Sequence, residues 1–173
     1  MNKKSHQKLL YFVEGPTEKK LIEEFKKAQA FVLPGHVNVL NVTQRRIPKA
    51  ILTNLSKDTI IVLIFDTDIP SSQVLKDNVK SLKKSRIVKD VWCVPQVENL
   101  EDELIYATDV KEIKDLIGCR SNKDFKASWN KEKNLLQKLD KHGFNFSKFW
   151  SSTPRGVFSE IENCGHKIKQ GKK

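Results

Sequence analysis

The chain has 173 residues, of which 38% are hydrophobic and 31% are charged. This length accommodates one domain with a proper hydrophobic core, and the apolar content excludes wholesale disorder. No apolar run approaches the roughly 20 residues that cross a bilayer. The N-terminal residues 1–8 lead into a strand without the small-residue cleavage site of a signal peptide. We therefore expect a cytoplasmic protein that has no membrane partner.

The net charge of +11 is concentrated in the last third of the chain. Residues 111–173 carry 15 Lys or Arg against 7 Asp or Glu, which accounts for +8 of the total. Such an excess favours a polyanionic partner, because each neutralised phosphate releases counterions. A solvated lysine-rich surface is the alternative. The cysteines, Cys93, Cys119 and Cys164, are too widely spaced to indicate a disulfide framework or a Cys-x-x-Cys metal site.

Strand-like and helix-like segments alternate along the first part of the chain. The predicted strands cover residues 9–14, 37–42, 59–66 and 91–97. A helix follows Gly15-Pro16, with Thr17 as its cap, and the next two begin at Pro48 and at Ser71 or Ser72. The order β-α-β-α-β-α-β predicts an α/β fold with a mostly parallel sheet covered by helices on both faces.

Cap residues and the spacing of apolar residues predict helices in the second part of the chain. Asn99 is a suitable N-cap for a short helix that contains Leu100 and Leu104, and residues 113–117 form another. A longer helix is predicted to begin near Asn122 or Lys123 and to include Leu135, Leu136 and Leu139. We divide the chain into a catalytic core, residues 1–110, and a helical basic extension, residues 111–173, packed on it as one compact unit.

Aromatic residues cluster near the C-terminus, at Phe144, Phe146, Phe149, Trp150 and Phe158. Interleaved with lysines, they could stack on nucleic-acid bases. A small aromatic core that closes the domain is the favoured interpretation.

Two hydrophobic strands end in carboxylates. Glu14 follows the first strand, and Asp66 and Asp68 end the third. Parallel strands joined by right-handed crossovers place their C-terminal ends at one edge, so these acids and the segment after the fourth strand should meet there. Mg²⁺ prefers oxygen ligands, and Glu98 or Glu101 could complete a metal site for phosphodiester cleavage. For any single acid, a helix cap or a surface ion pair is the alternative.

Four basic residues are predicted near the same edge. Lys19 and Lys20 open the helix after Glu14, and Arg45 and Arg46 follow the second strand. They could bind a phosphate backbone, Arg by a bidentate fork and Lys as a point charge. Lysine on a helix surface is also ordinary.

These motifs resemble the Toprim domain, which combines a strand ending in Glu-Gly with a later strand ending in Asp-x-Asp. The segment Phe12-Val13-Glu14-Gly15-Pro16-Thr17-Glu18 looks most like the nuclease branch of OLD-type and RloB-like proteins. The resemblance covers roughly residues 8–105 and places Gly15 and Glu18 in the short loop that commonly follows the strand in those proteins. The sequence departs from the relatives in three ways: we see no ATPase domain such as accompanies OLD proteins, no zinc motif of primases and no obvious tyrosine nucleophile.

The resemblance implies a Toprim-like (Rossmann-like) fold and a magnesium-dependent endonuclease, a phosphodiester hydrolase. Glu14 is similar to a catalytic acid/base and metal ligand, and Asp66 and Asp68 would bind Mg²⁺ or Mn²⁺. Among the acids of the later helix we favour Glu101 to complete the site, with Glu98 next. Implied partners are nucleic acid, DNA favoured over RNA, and an ATPase protein. A role in phage defence is also implied.

Two other functions fit parts of the sequence. A haloacid-dehalogenase-type phosphatase also uses Asp-x-Asp after a strand, but there the motif usually ends the first strand and is followed by Thr; here Ile69-Pro70 follows. A non-catalytic nucleic-acid-binding module could keep a degenerate Toprim core. Retention of Glu14, Asp66 and Asp68 counts against that module, because clustered buried carboxylates are costly without a cation.

Overall fold

The computed structural model describes residues 8–28 and 31–170. The strands are β1 Leu9–Val13, β2 His36–Val39, β3 Thr59–Asp66 and β4 Val88–Gln96. The helices flanking the sheet are α1 Pro16–Lys27, α2 Lys49–Thr53 and α3 Gln73–Lys83. The later helices are α4 Leu100–Ala107, α5 Ile113–Ile117, α6 Phe125–Lys131, α7 Leu135–Lys141 and α8 Gly165–Ile168. Short 3₁₀ turns span Asn122–Asp124 and Gly156–Phe158.

The four strands form one sheet in the order β2-β1-β3-β4, and every neighbouring pair is parallel. This confirms the predicted α/β class and the predicted alternation of strands and helices. The central strand β3 is buried from Thr59 to Phe65, as its continuous run of branched apolar residues predicts for a strand covered on both faces. Because the strands are parallel, their C-terminal ends lie along one edge of the sheet.

Side chains of β1 alternate between two hydrophobic clusters. Tyr11 and Val13 pack with the apolar face of α1 and with α4 to α8. Leu10 and Phe12 pack on the other face with α3 and with Phe158. This alternation follows from the two-residue period of a strand. The helices after residue 110 therefore share a core with α1, while the boundary at residue 110 stays a prediction.

The start of α1 differs from the prediction. The helix begins at Pro16, with Gly15 at the N-cap position, so Thr17 lies inside the first turn and is not the cap. Proline suits the first helical position because its missing N–H would have no partner there. The buried Thr17 instead accepts, through its carbonyl oxygen, a hydrogen bond of 3.2 Å from Trp129 Nε1. This contact joins α6 to the first turn of α1.

The predicted caps of the other helices have mixed outcomes. Asn99 caps α4, since its side chain accepts a hydrogen bond of 3.0 Å from the Asp102 backbone N–H. Ser72 occupies the N-cap position of α3, but its hydroxyl donates to the Val157 carbonyl at 2.7 Å and does not cap the helix. The Ser72 hydroxyl thus makes a long-range hydrogen bond in place of the local capping bond, and this bond joins the C-terminal loop to the start of α3.

The single long helix predicted from Asn122 or Lys123 is wrong. The chain forms the 3₁₀ turn, then α6, then breaks at an extended Glu132 (ψ 126°) before α7. Lys20 binds across this break, because its ammonium donates to the carbonyl oxygens of Asn130 and Glu132. Lys20 thus provides a donor for carbonyl oxygens at the end of α6, which a helix end leaves without intrahelical partners.

The C-terminal aromatic residues confirm the core interpretation, though not as one cluster. Phe149 and Trp150 are buried on the α1 face of the sheet. Phe144 and Phe146 are half-buried and pack against Phe25, at ring-centroid distances of 5.8 and 5.4 Å. Phe158 lies on the opposite face, among the residues that surround Phe65.

Strand ends differ from the prediction by a few residues, and β2 is the shortest. It stops at Val39, and the following Asn41 accepts hydrogen bonds from the backbone of Thr43 and Gln44 in a turn. Within residues 8–28 and 31–170, no helix is long and apolar enough to cross a membrane.

Candidate carboxylate site

Glu14 and Asp66 meet at the C-terminal edge of the sheet. Glu14 directly follows β1, and Asp66 is the last residue of the neighbouring strand β3. One carboxylate oxygen of Glu14, Oε2, accepts a hydrogen bond of 3.0 Å from the backbone N–H of Asp66. The parallel pairing of β1 with β3 thus joins two acids that are 52 residues apart in the chain.

Asn41 holds the other oxygen of Glu14. Its side-chain amide donates to Glu14 Oε1, while its own oxygen accepts from the Thr43 N–H at 3.1 Å and the Thr43 hydroxyl at 2.6 Å. The Glu14 carboxylate is therefore oriented by one donor on each oxygen. Sequence reasoning missed Asn41. Its signal is an Asn just after a strand, a position where such residues form turns with their own backbone.

Asp66 carries the most perturbed carboxyl group of the edge. Burial raises the pKa of Asp66 to about 9, and the charges of Glu14 and Glu18 add to this effect. Its Oδ1 atom is buried and has no hydrogen-bond partner among the residues that the structure describes. A buried carboxyl oxygen without a donor is costly, so this position favours either a bound proton or a bound cation.

Glu18 also faces this site. We placed it in the loop after the first strand, but it lies in the first turn of α1 and is only 5% exposed. Burial raises the pKa of Glu18, and the repulsion from Glu14 and Glu101 acts in the same direction. Gly15 leaves room for this carboxylate, because a Cβ atom at Gly15 would lie 3.1 Å from Glu18 Oε2.

Glu101 reaches the site from the first turn of α4 and pairs with a lysine that sequence reasoning missed. Its carboxylate lies 3.3 Å from Lys126 Nζ of α6. Partial burial by itself would lower the pKa of Lys126, but Glu101, Glu18 and Asp66 raise it overall. No local motif marks Lys126 among the many lysines of this region. Only the packing of α6 beside α1 brings it to the carboxylates.

The other predicted acids, Asp68 and Glu98, are exposed. The charge of Asp68 nevertheless contributes to the raised pKa of Asp66. Glu98 has a left-handed backbone (φ 66°), and its N–H donates to the Thr67 hydroxyl at 2.9 Å. The left-handed conformation is uncommon for a residue other than glycine. The two backbones are tied further by a 2.9 Å bond from the Thr67 N–H to the Glu98 carbonyl, which joins the ends of β3 and β4.

The carboxylate oxygens at this edge are suitable ligands for a hard divalent cation, but they are not arranged around one ion. Carboxylate oxygens are the ligands that Mg²⁺ prefers, and Asp66 Oδ1 is unpaired. Over the described ranges, however, no three or more His, Cys, Asp or Glu side chains are arranged so that they could hold a metal ion. Glu14, Asp66 and Glu101 are therefore not arranged as three ligands of one ion in this structure.

The predicted phosphate-binding residues lie in different environments. Lys19 and Arg45 are exposed. Lys20 binds the carbonyl groups at the end of α6, as described above, and Arg46 forms an ion pair of 3.1 Å with Asp77. The charges of Lys20 and Arg46 thus already have partners within the protein, although the Arg46 side chain is also exposed.

Comparison with protein-family models, with curated proteins and with solved structures found no significant match to this chain. The Toprim resemblance therefore stays a prediction. What the structure itself shows is a four-stranded parallel sheet, flanked by helices, with carboxylates at its C-terminal edge.

Proposed function

We propose that this protein is a metal-dependent nuclease, or a related phosphodiester-processing enzyme, of the Toprim type. The observation that carries the proposal is the Asp66 carboxyl, whose buried oxygen Oδ1 is unpaired, while the backbone N–H of the same residue donates to Glu14. The free energy needed to bury such a group is recovered when a cation binds there. The C-terminal edge of a parallel sheet is also where open α/β folds bind their ligands.

Glu14, Asp66, Asp68 and Glu101 would hold Mg²⁺ or Mn²⁺, and Glu98 is the alternative to Glu101. When bound, the cation would activate a water molecule and stabilise the charge on the cleaved phosphodiester. The ligand chemistry agrees with this, because all five residues offer carboxylate oxygens.

The protein's own groups contribute orientation and charge. Asn41 and the Asp66 N–H fix both oxygens of Glu14, so this side chain is suited to accept or deliver a proton at one defined position. Lys126 places a positive charge beside Glu101, at the side of the site where α6 lies. Such a charge favours the approach of a phosphate group.

Nucleic acid is the substrate class that the composition supports. The net charge of +11 would attract a polyanion in spite of the acidic site. We keep DNA as the favoured substrate over RNA. An ATPase partner and a role in phage defence depend on the resemblance to OLD-type and RloB-like proteins.

The Lys126–Glu101 ion pair favours a second candidate function. An ammonium group 3.3 Å from a predicted metal ligand can neutralise that ligand without any metal. A nucleic-acid-binding module with an inactive Toprim core would need only this lysine to balance Glu101. Such a module would bind nucleic acid without cleaving it.

The test is cleavage of supercoiled plasmid, single-stranded DNA and RNA with Mg²⁺ or Mn²⁺. We compare the native chain with Glu14→Gln and Asp66→Asn, and use Glu162→Gln, an exposed acid outside the site, as the matched control. Circular dichroism shows whether each variant is folded, and calorimetry measures Mg²⁺ binding directly.

The nuclease proposal predicts that Glu14→Gln and Asp66→Asn abolish cleavage, that Asp66→Asn weakens Mg²⁺ binding, and that the control behaves as the native chain. Cleavage that survives in both site variants would refute the assigned site. Tight binding of nucleic acid by the native chain, without cleavage or Mg²⁺ binding, would establish the second candidate.

A further inference from the structure

Two adjoining cavities lie beside the C-terminal ends of β3 and β4 and along α4. Their volumes are about 260 and about 580 Å³, and Val97 and Arg155 line both. The smaller cavity reaches Thr67 and Glu98, which tie the ends of β3 and β4 together beside the site. The larger one continues to α4. We call this continuous surface the Arg155 groove; its defining residues are Thr67, Val97, Glu98, Tyr106, Thr153 and Arg155.

Arg155 lies at the middle of the groove and is exposed. Within residues 8–28 and 31–170 it forms no ion pair, in contrast to Arg46. Its backbone is anchored, because its carbonyl accepts a 3.1 Å hydrogen bond from the N–H of the buried Phe158. A guanidinium on an anchored backbone is suited to bidentate binding of a phosphate.

Tyr106 provides an aromatic surface at the far part of the groove. It lies in α4 and is 53% exposed. Lys148 lies over one face of this ring, with its Nζ atom 5.9 Å from the ring centroid. Single-stranded nucleic-acid binders combine exposed aromatic rings, on which bases stack, with nearby positive charge that follows the backbone.

The groove is held in shape by the buried carboxylate of Glu103. It accepts hydrogen bonds from the backbone N–H of Val97 at 2.9 Å and from that of Trp150 at 3.0 Å. These two bonds join the end of β4 to the loop that leads to Arg155.

Arg155 brings positive charge to both parts of the groove, and carboxylates line each part. Asp102 and Glu103 line the part near Tyr106, and Glu98 lines the smaller cavity. A phosphate is therefore favoured beside Arg155, and an uncharged base beside Tyr106. In a duplex the bases are paired and stacked inside the helix, so a base can reach Tyr106 only from a single strand.

We propose that the Arg155 groove binds a single-stranded segment of the nucleic-acid substrate and leads it to the carboxylate site. Arg155 binds a phosphate and Tyr106 stacks on a base. This inference deepens the proposed function, on which it rests, by naming a single strand as the substrate class.

The experiment measures fluorescence anisotropy of a labelled oligothymidylate, and of a duplex of the same length, in EDTA so that no cleavage occurs. The variants are Arg155→Ala, Tyr106→Ala and Tyr106→Phe, with the exposed Arg120→Ala as the matched control for charge. We expect the native chain to bind the single strand more tightly than the duplex. Tyr106→Ala should weaken this binding by about fivefold or more, while Tyr106→Phe retains it. Arg155→Ala should reduce the slope of log K against log salt by about 1.

Duplex binding as tight as single-strand binding would overturn the inference. So would unchanged affinity of Arg155→Ala and Tyr106→Ala, or no binding of either oligonucleotide. The separate cleavage assay with Mg²⁺ distinguishes this failure from failure of the proposed function. Weakened binding by the groove variants, together with no cleavage by the native chain, would refute the nuclease and support the groove. Cleavage by the native chain, together with unchanged oligonucleotide affinity in the groove variants, would refute the inference about the groove and leave the nuclease proposal standing.

Discussion

Replacing Asp66 with Asn should make the stability of the metal-free protein less dependent on pH. Burial, together with the neighbouring acids, raises the pKa of Asp66 from its ordinary 3.8 to about 9 in the folded chain. Between these values the folded chain keeps a proton that the unfolded chain has released. The free energy of unfolding therefore falls as the pH rises: the stabilisation is complete below the unfolded pKa and lost as the pH passes the folded one.

The size of the effect follows from the width of this range. One proton of difference changes the free energy of unfolding by about 1.4 kcal/mol per pH unit. Between about pH 5 and about pH 8 the group would therefore lower stability by at most about 4 kcal/mol. Asn has the shape of the protonated acid and does not titrate, so Asp66→Asn should remove this one-proton slope. The raised pKa of Glu18 leaves a slope of the same sign in the variant.

The assay is urea unfolding in EDTA across that pH range, for the native chain, Asp66→Asn and the exposed-acid control Glu162→Gln. The native chain and the control should lose stability with rising pH more steeply than Asp66→Asn does. Adding Mg²⁺ at the upper end should stabilise the native chain more than the variant, because a cation can replace the missing proton. If the free energy of unfolding depends equally on pH in the native chain and in Asp66→Asn, the raised pKa assigned to Asp66 is refuted.

Three further substitutions test the supports of the site and of the fold. Asn41→Ala removes a donor that orients Glu14, so cleavage should slow by about tenfold or more, measured as kcat. Glu103→Ala leaves the backbone N–H groups of Val97 and Trp150 without an acceptor. The free energy of unfolding, measured with urea, should therefore fall by about 2–5 kcal/mol. Gly35→Ala places a Cβ atom 2.7 Å from the Leu9 carbonyl oxygen, so the free energy of unfolding should fall by about 1–3 kcal/mol.

Each of these variants has a control on the surface. Gln44→Ala and Asp102→Ala alter exposed side chains close in the chain to Asn41 and Glu103, and Gly118→Asn adds a side chain at an exposed glycine after α5, where a Cβ atom meets nothing within 4 Å. Each should stay within about 0.5 kcal/mol of the native chain. Asn is chosen at position 118 because the backbone there is left-handed (φ +70°), which Asn tolerates. Native-like kcat in Asn41→Ala, or a Glu103→Ala or Gly35→Ala variant as stable as its control, would contradict the assigned contact.

The arrangement of strands and helices was predictable because it depends on local patterns. The apolar run of β3 is long enough for a strand and too uniform for a surface helix, and it is buried as expected. The Asn99 cap is an interaction across three residues and was predicted correctly. The long helix from Asn122 was wrong: the chain breaks at an extended Glu132, and the carbonyls at the break bind Lys20, which is more than a hundred residues away along the chain.

The sequence by itself determined that carboxylates stand at the ends of two parallel strands, and hence that Glu14 and Asp66 lie at one edge of the sheet. That inference needs only strand periodicity and the direction of the crossovers. The tertiary structure alone decided which other groups reach this edge: Asn41, Lys126 and Arg155. Their side chains arrive from a turn, a helix and a loop whose positions depend on packing between segments far apart in the chain. No short-range pattern encodes such contacts, because the free energy that selects them comes from burying the whole core.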